Sequence, residues 1–297
     1  MATAQSNDHI YTFLAGDSVR VTIDEPFHIA RRKPTIIAFY ALPNGNTTEQ
    51  TMGKKMKEGD DWHFDIQHIR AQTKFIRQTM LDKNFVVIYL ENNYRSWPAW
   101  KQHHTDYRLL IPHIVDSLVS LVHAGRKEIY LNGHSGGGSF IFGYIAGVGK
   151  IPSSVKRISF LDSDYGYDSS YYIPFSEWLR GVKGAALSVF AYNDSIALLN
   201  GKPFVSATGG TWYRSKVFLA DLRKEFAIEQ LRDDSLVVYQ SRKPNIAFFF
   251  KTNPERKIFH TIQVERNGFI HSIFSGTRYD SKGYLYYNER AYNDLIE

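Results

Sequence analysis

The sequence predicts an α/β protein, a mostly parallel central sheet with helices on both faces. Three observations carry this. Thr35–Tyr40 and Phe85–Leu90 are continuous apolar runs of strand length, the pattern of strands buried on both faces. Stretches with apolar residues at helical spacing lie between such runs. No repeat, low-complexity tract or linker divides the 297 residues, so the alternation reads as a single domain over 1–297, with an insertion expected around 195–245.

The elements follow in order. Tyr11–Leu14 and Val19–Ile23 form a hairpin around the turn Ala15-Gly16-Asp17. Thr35–Tyr40 is a buried strand ending in the turn cluster Leu42-Pro43-Asn44-Gly45-Asn46. Ile66, Ile69, Thr73, Ile76 and Met80 mark an amphipathic helix before the strand Phe85–Leu90. An aromatic loop, Asn92 to Thr105, leads to a helix with Pro112 in its first turn and a stripe of Ile114, Val115, Leu118, Leu121 and Val122, stopped at Gly125. Strand Glu128–Leu131, helix Phe140–Ala146, and strands Val155–Leu161 and Ala186–Tyr192 come next. A helix from about Ser215 to Phe226, a small strand Leu236–Tyr239 and strands Ile246–Phe250 and Ile258–Val264 close the set.

Composition removes several classes of function. Absence of Cys excludes a disulfide scaffold, an Fe–S cluster, a Cys-ligated zinc and a thiol nucleophile. Lys+Arg 36 against Asp+Glu 30 leaves a net charge of +6, and the longest basic run is Arg31-Arg32-Lys33. With no basic stripe, no nucleic-acid partner is expected. No apolar run is long enough to span a membrane. The first residues, Met-Ala-Thr-Ala-Gln-Ser, lack a signal-peptide pattern, while the absence of Cys leans weakly toward a secreted or periplasmic setting. Oligomeric state and compartment stay open.

The decisive segment is Leu131-Asn132-Gly133-His134-Ser135-Gly136-Gly137-Gly138-Ser139. A Gly-x-Ser-x-Gly triplet arises by chance in about 0.1 copies per chain of this length, so its placement matters more than its presence. Here it lies directly after a buried strand and before a helix. A turn that sharp lifts the central hydroxyl clear of the sheet, the flanking glycines relieve crowding, and the helix N-terminus aims the Gly136 N–H at a developing oxyanion. A Walker A loop is excluded, since no Lys-Ser/Thr follows, and G-x-G-x-x-G is not matched.

Gly133-His134-Ser135-Gly136-Gly137 resembles the nucleophile elbow of the α/β-hydrolase superfamily, and the strand–helix order resembles that fold over nearly the whole chain. The resemblance implies Ser135 as nucleophile and a triad in chain order Ser, acid, His. Two histidines follow Ser135. His260 falls in the alternating segment Ile258–Ile262, read as strand, whereas His271 lies past the last strand and its turn, where the superfamily places its base; His271 is therefore the expected base. Asp194, after the strand Leu187–Tyr192, is the expected acid, with Asp162 and Asp164 as alternatives one strand earlier. Besides Gly136 N–H, the oxyanion hole needs a second donor from residues 41–46, either the backbone of Leu42 or Asn44 or an Asn side chain, because Pro43 has no N–H.

Tyr94, Arg95, Trp97 and Trp100 in the aromatic loop, His134, and the rings Tyr165, Tyr167, Tyr171, Tyr172, Phe175 and Trp178 after a later strand are candidates for lining the cleft, with Arg95 suited to a negative group. The Asp60–His68 and His103-His104 clusters match no metal motif, and no metal or cofactor is expected. The expected function is a serine hydrolase cleaving a carboxylic ester of a small molecule or carbohydrate, with an acylated carbohydrate or aryl ester favoured by the aromatic-rich loops. A peptidase or amidase with the same triad, or a binding protein on the same fold, is the alternative.

Overall fold

The computed structural model describes residues 8–16, 18–232, 234–243 and 245–297. Residues 1–6 and Asp17, read above as an N-terminal segment and a turn, lie outside them.

In chain order the strands are β1 (Asp8–Ala15), β2 (Val19–Pro26), β3 (Thr35–Ala41), β4 (Asn84–Asn92), β5 (Lys127–His134), β6 (Val155–Leu161), β7 (Ala186–Tyr192), a small hairpin of β8 (Leu198–Leu199) and β9 (Lys202–Pro203), then β10 (Glu229–Arg232), β11 (Leu236–Ser241) and β12 (Asn245–Lys251). Ten of them form one sheet in the order β1-β2-β4-β3-β5-β6-β7-β12-β11-β10. The six inner strands β4, β3, β5, β6, β7 and β12 run parallel, and β1, β2, β11 and β10 pair antiparallel at the edges. The chain leaves β3 for β4 on one side and returns to β5 on the other. Their carboxyl ends, at Ala41 and His134, therefore flank a topological switch point, where an open parallel sheet leaves a crevice.

Alternation along β3 shows why both faces are covered. Ile37, Phe39 and Ala41 enter one core with Val115, Leu118, Phe140 and Ile141. Ile36, Ala38 and Tyr40 enter the other with Ile69, Ile76, Phe269 and Phe274. Helices α3 (Trp97–His103), α4 (Tyr107–Leu121), α5 (Gly138–Val148), α6 (Tyr172–Gly181) and α7 (Thr211–Leu222) contribute to the first layer, and α2 (Ile69–Thr79) and α9 (Gly268–Phe274) to the second. A short α1 (Thr48–Met52) opens on the capping box of Thr47 and Gln50.

Three expectations need correction. Pro112 lies inside α4, which begins five residues earlier at Tyr107. Its missing N–H frees the Arg108 carbonyl, and Gly147 of α5 packs so closely against that oxygen and the proline ring that a Cβ there would clash. The helix expected at Ser215–Phe226 runs Thr211–Leu222. Ile258–Val264 is not a strand: residues 252–261 are a loop, followed by α8 (Ile262–Glu265). Asn253 holds that loop, its amide donating to Asn193 O at 3.0 Å and Lys257 O at 2.7 Å while its Oδ1 accepts from Lys257 N. Within the expected insertion, β10 and β11 extend the main sheet and α7 packs beside β7 and β12.

Gln72 of α2 links the second layer. Its buried amide donates to Gln67 O and Val264 O, and its Oε1 accepts from Ile270 N. Gln72→Leu leaves an N–H and two carbonyls buried without partners. Urea denaturation of that variant should show about 2–4 kcal/mol lost; an unchanged midpoint would mean the linkage carries no stability.

Candidate active site

The elbow is built by close approach. Ser135 sits at φ 53°, left-handed for a residue with a side chain, in a single turn of Ser135–Gly137 between β5 and α5. Gly137 lies against the Ala41 carbonyl and Gly136 against the Asn44 side chain, so closely that a Cβ at either would collide. Ser163 Oγ donates to Gly133 O at 2.8 Å and ties the end of β5 to the loop after β6. The resulting cavity, of about 430 Å³, is lined by Asn44, Pro98, Ser135, Gly136, Ser139, Ser163, Tyr165 and Gly166.

A second strained residue stands one strand away. Asp162, at φ 46° just past β6, is held by its N–H on Phe190 O at 2.8 Å. Its buried carboxylate accepts a hydrogen bond from His260 Nδ1 at 2.5 Å and another from Thr211 Oγ1. An ionised carboxylate only accepts, so it keeps the proton on Nδ1 and leaves the lone pair of His260 on Nε2. The ring of His260 lies 4.6 Å from that of His134 and 6.4 Å from that of Tyr165. His134, the residue before Ser135, is buried, and burial with His260 nearby holds its pKa well below the usual imidazole value. Neutral His134 directs Nε2 at His260 O, 3.3 Å away, which fixes the His260 loop to the elbow.

The expected base and acid stand elsewhere. His271 lies inside α9, buried, with Nδ1 on Tyr284 Oη at 2.9 Å and its ring stacked on Tyr286 at 5.0 Å. Its hydrogen-bonding side chain thus serves the second layer; among the described residues no hydrogen bond joins it to Asp194, and none joins Ser135 Oγ to either His271 or His260. Residues 258–262, read as strand, are not one: β12 is the last strand, and the loop beyond it carries His260. Asp194, past β7, accepts from Thr211 N at 2.8 Å, and burial next to Asp162 raises it to about 6. Asp164 is buried with Ser215 Oγ donating to its Oδ2 at 2.7 Å, and desolvation pushes it well above the carboxylate range.

The other expected residues divide similarly. Leu42 donates its N–H to Leu90 O at 3.3 Å and is committed to the sheet, whereas Asn44 lines the cavity beside Gly136. Trp97 is core, packed on Trp100 and Phe140, because it opens α3 on its inner face. Tyr94 is exposed and stacks on His103 at 4.3 Å. Exposed Arg95, at φ 47°, accepts from Gly45 N at 2.8 Å and braces the turn after β3 instead of lining the cavity. Pro98, Ser139 and Ser163 were missed, since small residues carry no signal until the cavity walls are known. Among the described residues no cluster of His, Asp and Glu has the geometry of a metal site, and no helix is long and apolar enough to cross a membrane.

No family model matches the chain, and no curated protein matches its sequence. Solved structures do. A thermostable esterase is similar over 90% of this chain and 61% of its own, with a TM-score of 0.53 at 12% identity. A feruloyl esterase module from Clostridium thermocellum complexed with sinapinate covers 92% of this chain and 91% of its own, at TM-score 0.49 and 12% identity. The siderophore hydrolase EstB from Aspergillus nidulans covers 94% and 98%, at TM-score 0.47 and 12% identity. The strand order, the elbow at the switch point and the likeness to the thermostable esterase define the fold: this is an α/β-hydrolase fold.

Burial makes His271 sensitive to acid. Its pKa falls from 6.5 to about 4 in the folded chain, chiefly through desolvation, so below pH 6.5 the unfolded chain binds a proton that the folded chain refuses. Stability contributed by the neutral ring is full above pH 6.5 and falls as pH drops toward 4, by at most about 3 kcal/mol. Thermal melts from pH 7 to 4 should fall less steeply for His271→Gln than for the natural chain; parallel curves would contradict the assignment.

Proposed function

We propose that this chain is a serine hydrolase that cleaves a carboxylic ester through an acyl-enzyme, with Ser135 as nucleophile, His260 as base and Asp162 as acid. The observation that carries the reading is the 2.5 Å bond from His260 Nδ1 to buried Asp162, one strand from a left-handed Ser135. His260 Nε2 takes the hydroxyl proton as Oγ attacks the carbonyl carbon. Asp162 keeps the imidazolium oriented and offsets its charge. Gly136 N–H and an N–H of Asn44, from its backbone or its side-chain amide, receive the oxyanion, since both residues line the cavity. Collapse of the tetrahedral adduct expels the alcohol with the proton from His260, and water then releases the acid by the reverse roles.

The cavity walls favour a polar or compact ester over a long acyl chain. Asn44, Ser139, Ser163 and Tyr165 offer hydrogen-bonding groups beside the ring of Pro98. An acylated carbohydrate or aryl ester fits that lining.

Release of p-nitrophenol from short acyl esters tests the reading. Ser135→Ala and His260→Gln should each lower kcat by about 10⁴-fold or more, and Asp162→Asn by about 10³- to 10⁴-fold. His271→Gln should stay within about tenfold of the natural chain, measured below its melting range. Full activity of His260→Gln, or turnover confined to a matched anilide, would overturn the assignment.

A further inference from the structure

Asp194 lies just past β7, and among the described residues no hydrogen bond joins it to His260; its side-chain partner is Thr211. The Thr211 hydroxyl lies between two carboxylates, in contact with Asp162 Oδ1 and 3.3 Å from Asp194 Oδ2, while Thr211 N donates to the same Asp194 oxygen at 2.8 Å. A hydroxyl has one proton to donate. Given to Asp162, it leaves Asp194 as the second carboxylate on a fully buried bridge that ends at His260 Nδ1.

Resting on the assignment of His260 and Asp162 above, we propose that Asp194 is a positioning residue that acts on His260 through Thr211 and Asp162, and that its ionisation sets the negative charge behind the imidazole. The groups facing it are Asp162 and Asp164 beyond β6, Tyr165, Tyr192 at the end of β7, Thr211 on α7 and His260 beyond it. Among the described residues, none of the ion pairs involves Asp194. Burial and Asp162 raise it to about 6, so it changes charge in the range where a hydrolase of this kind works. Ionised, it adds a second negative charge that favours the imidazolium formed during attack. Protonated, it leaves Asp162 alone.

The sign follows directly. Below pH 6 the natural chain and Asp194→Asn carry the same charge at this position and should turn over alike. Above it the natural chain gains, and the ratio of kcat should rise to about tenfold by pH 8. A merely structural role gives a ratio that does not vary with pH. The His260 ring resonance, identified by its loss in His260→Gln, supplies a readout independent of turnover. Its difference between the natural chain and Asp194→Asn should grow with a midpoint near pH 6. Thr211→Val should shrink the same transition and Thr211→Ser retain it in full, which keeps the test usable should Asp194→Asn fold poorly. A pH-independent difference, or a Thr211→Val chain that titrates like the natural one, overturns the inference. Failure of the ester reading shows itself separately, as absence of turnover in the natural chain with the resonance transition intact.

Discussion

The pairing of β3 with β5 at the switch point is the constraint on which the rest depends. Thr35–Ala41 lies in parallel register with Lys127–Gly133, so the two strands end level with one another. From those ends the chain departs in opposite directions, and nothing but backbone and small side chains fits in the gap. Gly137 must rest on the Ala41 carbonyl, and Gly136 must meet Asn44. Closeness forces Ser135 into the left-handed region, and that conformation lifts its side chain to the crevice. A tight turn, a strained serine and an open cavity are consequences of one pairing.

Electrostatics at the neighbouring strand ends take the opposite form. Three buried carboxylates, Asp162, Asp164 and Asp194, stand beyond β6 and β7. Such a group of anions is stable only when desolvation leaves some of them neutral or when a cation compensates. Desolvation pushes Asp164 well above the carboxylate range and Asp194 up to about 6, while Asp162 accepts a hydrogen bond from His260 Nδ1. His134 stays neutral through burial, so it serves as a fixed strut for the His260 loop and adds no competing charge.

Much of the fold and the elbow was legible in the sequence, because the signals were local. Apolar runs such as Thr35–Tyr40 named the inner strands, and glycines around Ser135 after a buried run named the turn. The partners of Ser135 were not legible to the same degree. Ile258-Phe259-His260-Thr261-Ile262 alternates as a strand does, yet Asn253 ties residues 252–261 into a loop by bonds to Asn193 and Lys257 that no periodicity reveals. Moving the last strand back to β12 moves the expected histidine from His271 to His260. Asp194 was favoured over Asp162 by its place after the later strand, whereas the hydrogen bond from His260 goes to Asp162, a contact no sequence pattern reveals. Trp97, Tyr94 and Arg95 show the remaining gap: loop residues were identified by type, while the turn after Asn92 decides which of them face the core, the solvent or the neighbouring loop.

Covalent labelling with a fluorophosphonate tests the central claim most directly, because it reports the activated serine without knowledge of the substrate. The account predicts one adduct per chain, mapped to Ser135, with labelling abolished in His260→Gln and preserved in His271→Gln. An adduct on another residue, or labelling lost in His271→Gln and kept in His260→Gln, would contradict it.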